Sequence, residues 1–189
     1  MSETTSRIRS ATAADAVACA EIYAPYVTST CISFETTPPT SAQFVERIVD
    51  AQASHEWFVA ERDAEVVGYA YGHEFHGRAA YHWSCETGIY LAMDLRREGI
   101  GRALYEVLLD RLAVRGYRRA IAGVTLPNEA SIGFHRSFGF EDIGCYRRIG
   151  WKDGAWHDVA WMQKDLQRNE IDPPAPISRL GPMSWSRPE

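Results

Sequence analysis

The stretch ETGIYLAMDLRREGIGRALYEVLLDRLAVR, residues 86–115, limits what this chain can fold into more than any other part of it. Residues 86–92 are β-favouring and alternate, which predicts a strand with Glu86, Gly88 and Tyr90 on one face and Cys85, Thr87, Ile89 and Leu91 on the other. After the polar break at Asp94, the run from Arg96 to Arg102 opens a helix whose apolar Ile100, Leu104, Val107, Leu108 and Leu112 recur at three- and four-residue spacing. That face has to be buried.

A helix start leaves several backbone N–H groups without internal partners, and its dipole places partial positive charge there. Gly99 and Gly101 lack a Cβ, so a diphosphate could approach the backbone closely, with Arg96, Arg97 and Arg102 adding charge. The alternative is a plain helix N-terminus with glycines in the turn and solvated arginines. Neither G-x-x-x-x-G-K-[ST] nor G-x-G-x-x-G stands here; the pattern is R-x-x-G-x-G, set between a strand and a long helix.

Residues 96–101 resemble the [QR]-x-x-G-x-[GA] pyrophosphate loop of the GCN5-related N-acetyltransferases (GNAT). The likeness continues through LPNEASIGFHRSFGF at 126–140 and GWKDGAWHDVAWMQKDL at 150–166, covers roughly residues 6–166, and points to the phosphinothricin and methionine sulfone acetyltransferase branch. The resemblance implies an α/β fold: a mixed, twisted sheet of six to seven strands, splayed where CoA enters and flanked by about four helices. It implies acetyl-CoA as co-substrate, a small-molecule amine acceptor and a homodimer. The cofactor side would be Ile89, Tyr90 and Leu91, then Arg96, Arg97, Glu98, Gly99, Ile100, Gly101 and Arg102, with Asn128 and Ser131 beyond.

A length of 189 residues suits one domain, and 46% hydrophobic with 24% charged residues is ordinary for a globular chain. The division expected is an acetyltransferase domain over residues 1–166 and a proline-rich tail over 167–189. No apolar run approaches membrane-spanning length and MSETTSRIRSAT has no apolar h-region, so a cytoplasmic protein without a membrane partner is expected. A net charge of −5 without a long basic block argues against nucleic acid as partner. Cys19, Cys31, Cys85 and Cys145 are widely spaced, so reduced thiols are expected rather than a disulfide framework or a zinc site. His73, Glu74, His76 and His82 do not form a closed ligand shell by spacing, and no metal is expected.

In chain order, RIRS at 7–10 reads as a strand and Thr12 as the cap of a helix with Val17, Ala20, Ile22 and Tyr23 on its apolar side; Pro25 disturbs it. Ser41 is expected to cap a second helix, 42–53, with Phe44, Ile48 and Val49 inward. WFVAER and EVVGYAYG, split by Asp63-Ala64, give a hairpin. Beyond the central helix, 118–126 is a strand, 128–138 a short helix with Ile132 and Phe134 buried and Gly139 at its stop, and 140–149 with 156–165 a final hairpin across Lys152-Asp153-Gly154. Prolines 173, 174, 176, 182 and 188 argue against a regular element in the tail.

Acetyl transfer to an amine needs a base for the ammonium, a donor for the thioester oxygen and a proton for the leaving thiolate. By the resemblance, Glu86 is the candidate base, against the plainer reading of a strand-edge glutamate paired with an arginine. The oxyanion donor would be an N–H near Tyr90 or Leu91, where the family has a bulge. His135, where many members have a tyrosine, is the second catalytic candidate, as acid, relay or acceptor ligand; the alternative is a surface histidine. Arg78 and Tyr81 match residues that contact the acidic acceptor, His76 stands where a lysine is expected, and Phe34 and Glu35 lie on the arm that overhangs the acceptor pocket. Rival readings are another amine as acceptor (a peptide N-terminus, polyamine or aminoglycoside) and a non-catalytic acetyl-CoA-binding module.

Overall fold

The computed structural model describes residues 6–95, 99–167 and 174–186. In chain order the elements are β1 (Ser6–Ser10), α1 (Ala16–Thr28), α2 (Ser41–Ser54), β2 (Trp57–Arg62), β3 (Glu65–Glu74), β4 (Ser84–Leu91), α3 (Ile100–Arg115), β5 (Arg119–Thr125), α4 (Glu129–Ser137), β6 (Glu141–Lys152), β7 (Ala155–Asp165) and β8 (Ser184–Ser186). The strands form one sheet in the order β6-β7-β5-β4-β3-β2-β1-β8, and only the β4–β5 pair is parallel. Eight strands exceed the six to seven expected, because the tail returns to add β8 beside β1. Prolines exclude long elements, yet three residues between Met183 and the end pair Ile8 with Trp185 at an edge, where each strand needs partners on one side only. Among the described residues no helix is long and apolar enough to cross a membrane.

Strand alternation builds two cores. Phe58, Ala60, Cys85, Ala120, Ala122 and Val124 meet Leu104, Leu108 and Leu112 of α3, while Trp57, Val59 and Tyr69 meet Phe44, Ile48, Ile22 and Tyr23 of α1 and α2. Each of the three buried α3 leucines contributes about 1.5–3 kcal/mol. Val17 and Val49, expected inward, are 56% and 54% exposed, since both sit off the stripe that faces the sheet. Thr40 rather than Ser41 caps α2: its side chain accepts from the Gln43 amide, and Gln43 reaches back in a capping box. Pro25 lies inside α1, which continues to Thr28.

The helix α3 begins at Ile100, later than the expected opening at Arg96. Gly99 is its N-cap with φ 77°, a left-handed conformation that glycine adopts without a steric penalty. Helix α4 runs to Ser137 with Phe138 as C-cap and Gly139 at φ 83° behind it; Phe134 is only half-buried, and His135 takes the buried position instead.

Candidate active site

Strands β4 and β5 share only three ladder positions, Ser84↔Arg119, Cys85↔Ala120 and Glu86↔Ile121. Beyond them β4 stays with β3 as far as Leu91, while β5 follows β7 from Arg119↔Asp165 to Thr125↔Val159. The sheet therefore forks, and Glu86 is the last paired residue before the fork. Thr87 holds the vertex: its Oγ1 donates to the Ile121 carbonyl at 3.2 Å and pairs with the buried Tyr105 hydroxyl at 2.7 Å.

The ladder sets which amides face the gap. Ala92 N–H donates to the Val67 carbonyl at 2.9 Å, so even-numbered residues of β4 turn their amides to β3 and Ile89 and Leu91 turn theirs toward the departed β5. No register shift interrupts β3 and β4, so the expected bulge is absent; the divergence of β5 alone leaves these amides without a ladder partner. This favours Leu91 over Tyr90 as a donor into the gap. Leu91's carbonyl is taken by the Tyr26 hydroxyl at 2.7 Å, and Tyr90's ring packs edge-on to Tyr23 and Tyr26 on the other face.

At the open end of the gap stands the α3 N-terminus, with the Ile100 and Gly101 amides in its first turn. A Cβ on Gly101 would come within 2.8 Å of Leu91 Cδ1, so this glycine also lets the helix start close against the end of β4. Arg102 is anchored sideways: it donates to Ser137 Oγ at 2.8 Å, lies 4.8 Å from the Phe138 ring centroid and pairs with Glu106. Arg96, Arg97 and Glu98 lie outside the described residues.

On the far lip, Asn128 caps α4 by accepting from the Ser131 amide at 3.1 Å, which leaves its NH2 group to donate. Ser131 in turn serves His135, whose Nδ1 is 2.8 Å from the Ser131 carbonyl and 3.4 Å from its hydroxyl. A carbonyl only accepts, so Nδ1 carries the hydrogen and Nε2 presents a lone pair. Burial beside Tyr105 and Phe140 pushes the His135 pKa down, so the ring is neutral near pH 7. His135 belongs to the α3 face of the sheet, whereas Glu86 faces α1 and α2.

Glu86 is half-buried, and burial raises its pKa, opposed by the neighbouring His73 and His76. His73 is its ladder partner on β3. Trp83, three residues earlier, donates its indole N–H to the Ala175 carbonyl in the tail. Tyr71, whose hydroxyl feels the Glu86 charge, lies over Gly88, where a Cβ would strike its ring at 2.8 Å.

A cavity of about 850 Å3 opens on this face, under α2. Arg47, Tyr71, His73, His76 and Tyr81 line it. Glu86 is not part of this wall, but Tyr71 and His73 beside it are. Among the acceptor-side candidates, His76 and Tyr81 line the cavity and pack together at 5.1 Å. Glu35 reaches it through Arg47, accepting both guanidinium nitrogens at 2.9 and 3.1 Å, and also accepts from the Tyr23 hydroxyl. Phe34 and Arg78 are exposed and stand outside the wall; the Arg78 carbonyl starts the turn 79–81. Arg47, Tyr71 and His73 were not singled out from sequence as site residues. A phenylalanine three positions before Arg47 marks the sheet-facing side of α2, the one signal available, and it does not distinguish a ligand from a solvated face. Among the described residues no cluster of three or more His, Cys, Asp or Glu could hold a metal ion.

This geometry can be set beside known proteins. Residues 8–161 match the family model described as the acetyltransferase (GNAT) domain. The chain belongs to the GNAT acetyltransferases. It is 34% identical over 170 residues to the phosphinothricin N-acetyltransferase of Streptomyces viridochromogenes, covering 90% of this chain and 92% of that protein. To the L-methionine sulfoximine/L-methionine sulfone acetyltransferase of Pseudomonas aeruginosa it is 30% identical over 146 residues, 71% of this chain and 85% of that protein. Among solved structures, the GNAT superfamily phosphinothricin acetyltransferase of Sinorhizobium meliloti in complex with AcCoA superposes with a TM-score of 0.84 at 35% identity, covering 89% of this chain and 92% of that one.

The α/β sheet forked at Glu86 is the fold of this acyltransferase family. The amides facing the gap and the glycine-led start of α3 fit a thioester cofactor whose arm leads to a diphosphate.

Proposed function

We propose that this GNAT enzyme moves the acetyl group of acetyl-CoA onto the amine of a small amino-acid-like acceptor, of the phosphinothricin, methionine sulfone or methionine sulfoximine type, by direct attack in a ternary complex. The observation that carries the reading is a half-buried carboxylate with a raised pKa, Glu86, at the fork of β4 and β5. The names of the relatives supply the acceptor class.

Glu86 takes the proton of the acceptor's ammonium, directly or through one water, and its raised pKa makes it the stronger base. The Leu91 amide, with Ile89 next in line, donates to the thioester oxygen as it gains charge. The amides of Ile100 and Gly101, with Gly99 and Arg102, hold the diphosphate, together with the loop of Arg96, Arg97 and Glu98. Asn128 donates its NH2 group to the pantetheine arm, and Ser131 orients His135. With Nδ1–H committed to the Ser131 carbonyl, His135 enters the cycle as a proton acceptor or relay and returns a proton to the thiolate only after taking one. On the acceptor side, Tyr81 and His76 line the pocket, Arg78 approaches from the exposed turn, and Phe34 and Glu35 close the arm, Glu35 fixing Arg47.

A homodimer suits β6, an edge strand with exposed Ile143, Tyr146, Ile149 and Trp151, flanked by Trp156 on β7. A cytoplasmic site of action suits four unpaired cysteines. The test of function is thiol release from acetyl-CoA with a panel of phosphinothricin, methionine sulfone, methionine sulfoximine, dipeptides and polyamines. Turnover confined to the first three supports the reading. CoA binding without thiol release from any amine overturns it.

A further inference from the structure

The loop between α1 and α2 carries Phe34 and Glu35, and the far hairpin holds it. Lys152, at the end of β6, is 5% exposed, and its ammonium donates to three backbone carbonyls: Val27 at 2.6 Å, Thr30 at 2.8 Å and Ser33 at 2.7 Å. These are all the hydrogens an ammonium has, and one of the acceptors, Val27, lies in the last turn of α1, where the helix dipole favours a cation. No carboxylate is needed to hold the charge there. Two positions earlier, Gly150 has no side chain because the Phe34 ring occupies the place: a Cβ there would overlap it, meeting Cδ2 at 2.7 Å. Phe34 also packs on His157 of β7. From the other side the Tyr23 hydroxyl holds Ser33 Oγ at 2.7 Å, and Arg47 holds Glu35.

From this arrangement we infer that Lys152 is a positioning residue for acceptor binding and that Gly150 sets the seat of Phe34, so that the β6–β7 hairpin, remote in sequence, fixes the acceptor loop. The inference rests on the acceptor role of that loop in the proposed acetyl transfer. A lysine is required rather than any filler. Its removal takes the shared donor from three carbonyls, those of Val27 and Ser33 buried, and loosens the loop at residues 29–35.

Lys152→Met keeps the apolar stem and removes the donors. The expected result is an acceptor KM raised ~10-fold with the acetyl-CoA KM within about twofold of the parent, together with faster amide exchange in residues 29–35. If that variant does not fold, Gly150→Ala serves, because Gly150 does not have a positive φ and the three atoms nearest to a Cβ there all belong to Phe34. Gly150→Ala and Phe34→Ala should each raise the acceptor KM, and the double variant should be no worse than Phe34→Ala alone. Acceptor and acetyl-CoA KM values that rise together, or additive effects in the double variant, overturn the inference. A parent enzyme that releases thiol with no amine would overturn the acetyl-transfer reading instead. In that case unchanged exchange at 29–35 in Lys152→Met overturns the clamp on its own.

Discussion

Glu86 and Cys85 are neighbours in sequence and face opposite cores, and that single alternation separates the carboxylate from the thiol. Cys85 is fully buried, and burial pushes its thiol far above the usual range, so it is no nucleophile. Glu86→Gln should lower turnover by ~10²-fold or more while acetyl-CoA affinity, measured by calorimetry, stays near the parent value. Since the base must be ionised and burial raises its pKa above the ordinary 4.5, the acid limb of kcat/KM should lie at higher pH than for a free carboxylate. An acid limb at 4.5 or below would show that another group titrates. Alternation and the R-x-x-G-x-G pattern made Glu86 and the glycines legible in the sequence. Arg47 and Lys152 were not, because their partners lie 12 and up to 125 residues away and no local pattern marks them.

At the scale of elements, α3 does two jobs with one end. Its leucines pack the sheet, and its first turn comes close to Leu91 and, in the proposed reaction, to a diphosphate. Gly101→Val should therefore abolish acetyl-CoA binding by calorimetry and also lower stability, since the new side chain meets Leu91. Gly99→Ala should cost ~1 kcal/mol in urea unfolding, because φ 77° is strained for any residue with a Cβ. Equal stability in that variant would mean that the cap relaxes. The helix periodicity was readable from Leu104, Leu108 and Leu112. Its start was not: arginine is a good helix former by type, and what caps the helix is the left-handed conformation of Gly99, which no spacing of residues specifies.

In the whole molecule, β8 of the tail pairs with β1 at the sheet edge. Deleting residues 182–189, which spares the Ala175 contact with Trp83 and the cavity-lining Ile177 and Arg179, should remove β8, uncover Ile8 and lower the thermal midpoint, while acetyl transfer at the fork is retained at low temperature; loss of transfer in a folded truncation would refute that separation. His55, stacked on Tyr117 near the tail, has its pKa lowered by burial from 6.5 to about 4. The unfolded chain takes up this proton first, so the contribution of His55 is full above pH 6.5 and is lost as pH falls toward 4. His55→Gln should flatten the loss of unfolding free energy between pH 7 and 4.5 relative to the parent; parallel curves would remove His55 as the cause. The sequence by itself determined the strand–glycine–helix unit, the family, and which residues of β4 face opposite sides of the sheet, because these follow from the period of a strand and from a contiguous motif. Tertiary structure alone decided where β5 leaves β4, that the tail supplies an eighth strand, and that a buried lysine of the last hairpin grips the loop between α1 and α2. Those depend on backbone groups brought together from distant parts of the chain, and a backbone carbonyl has no letter in the sequence.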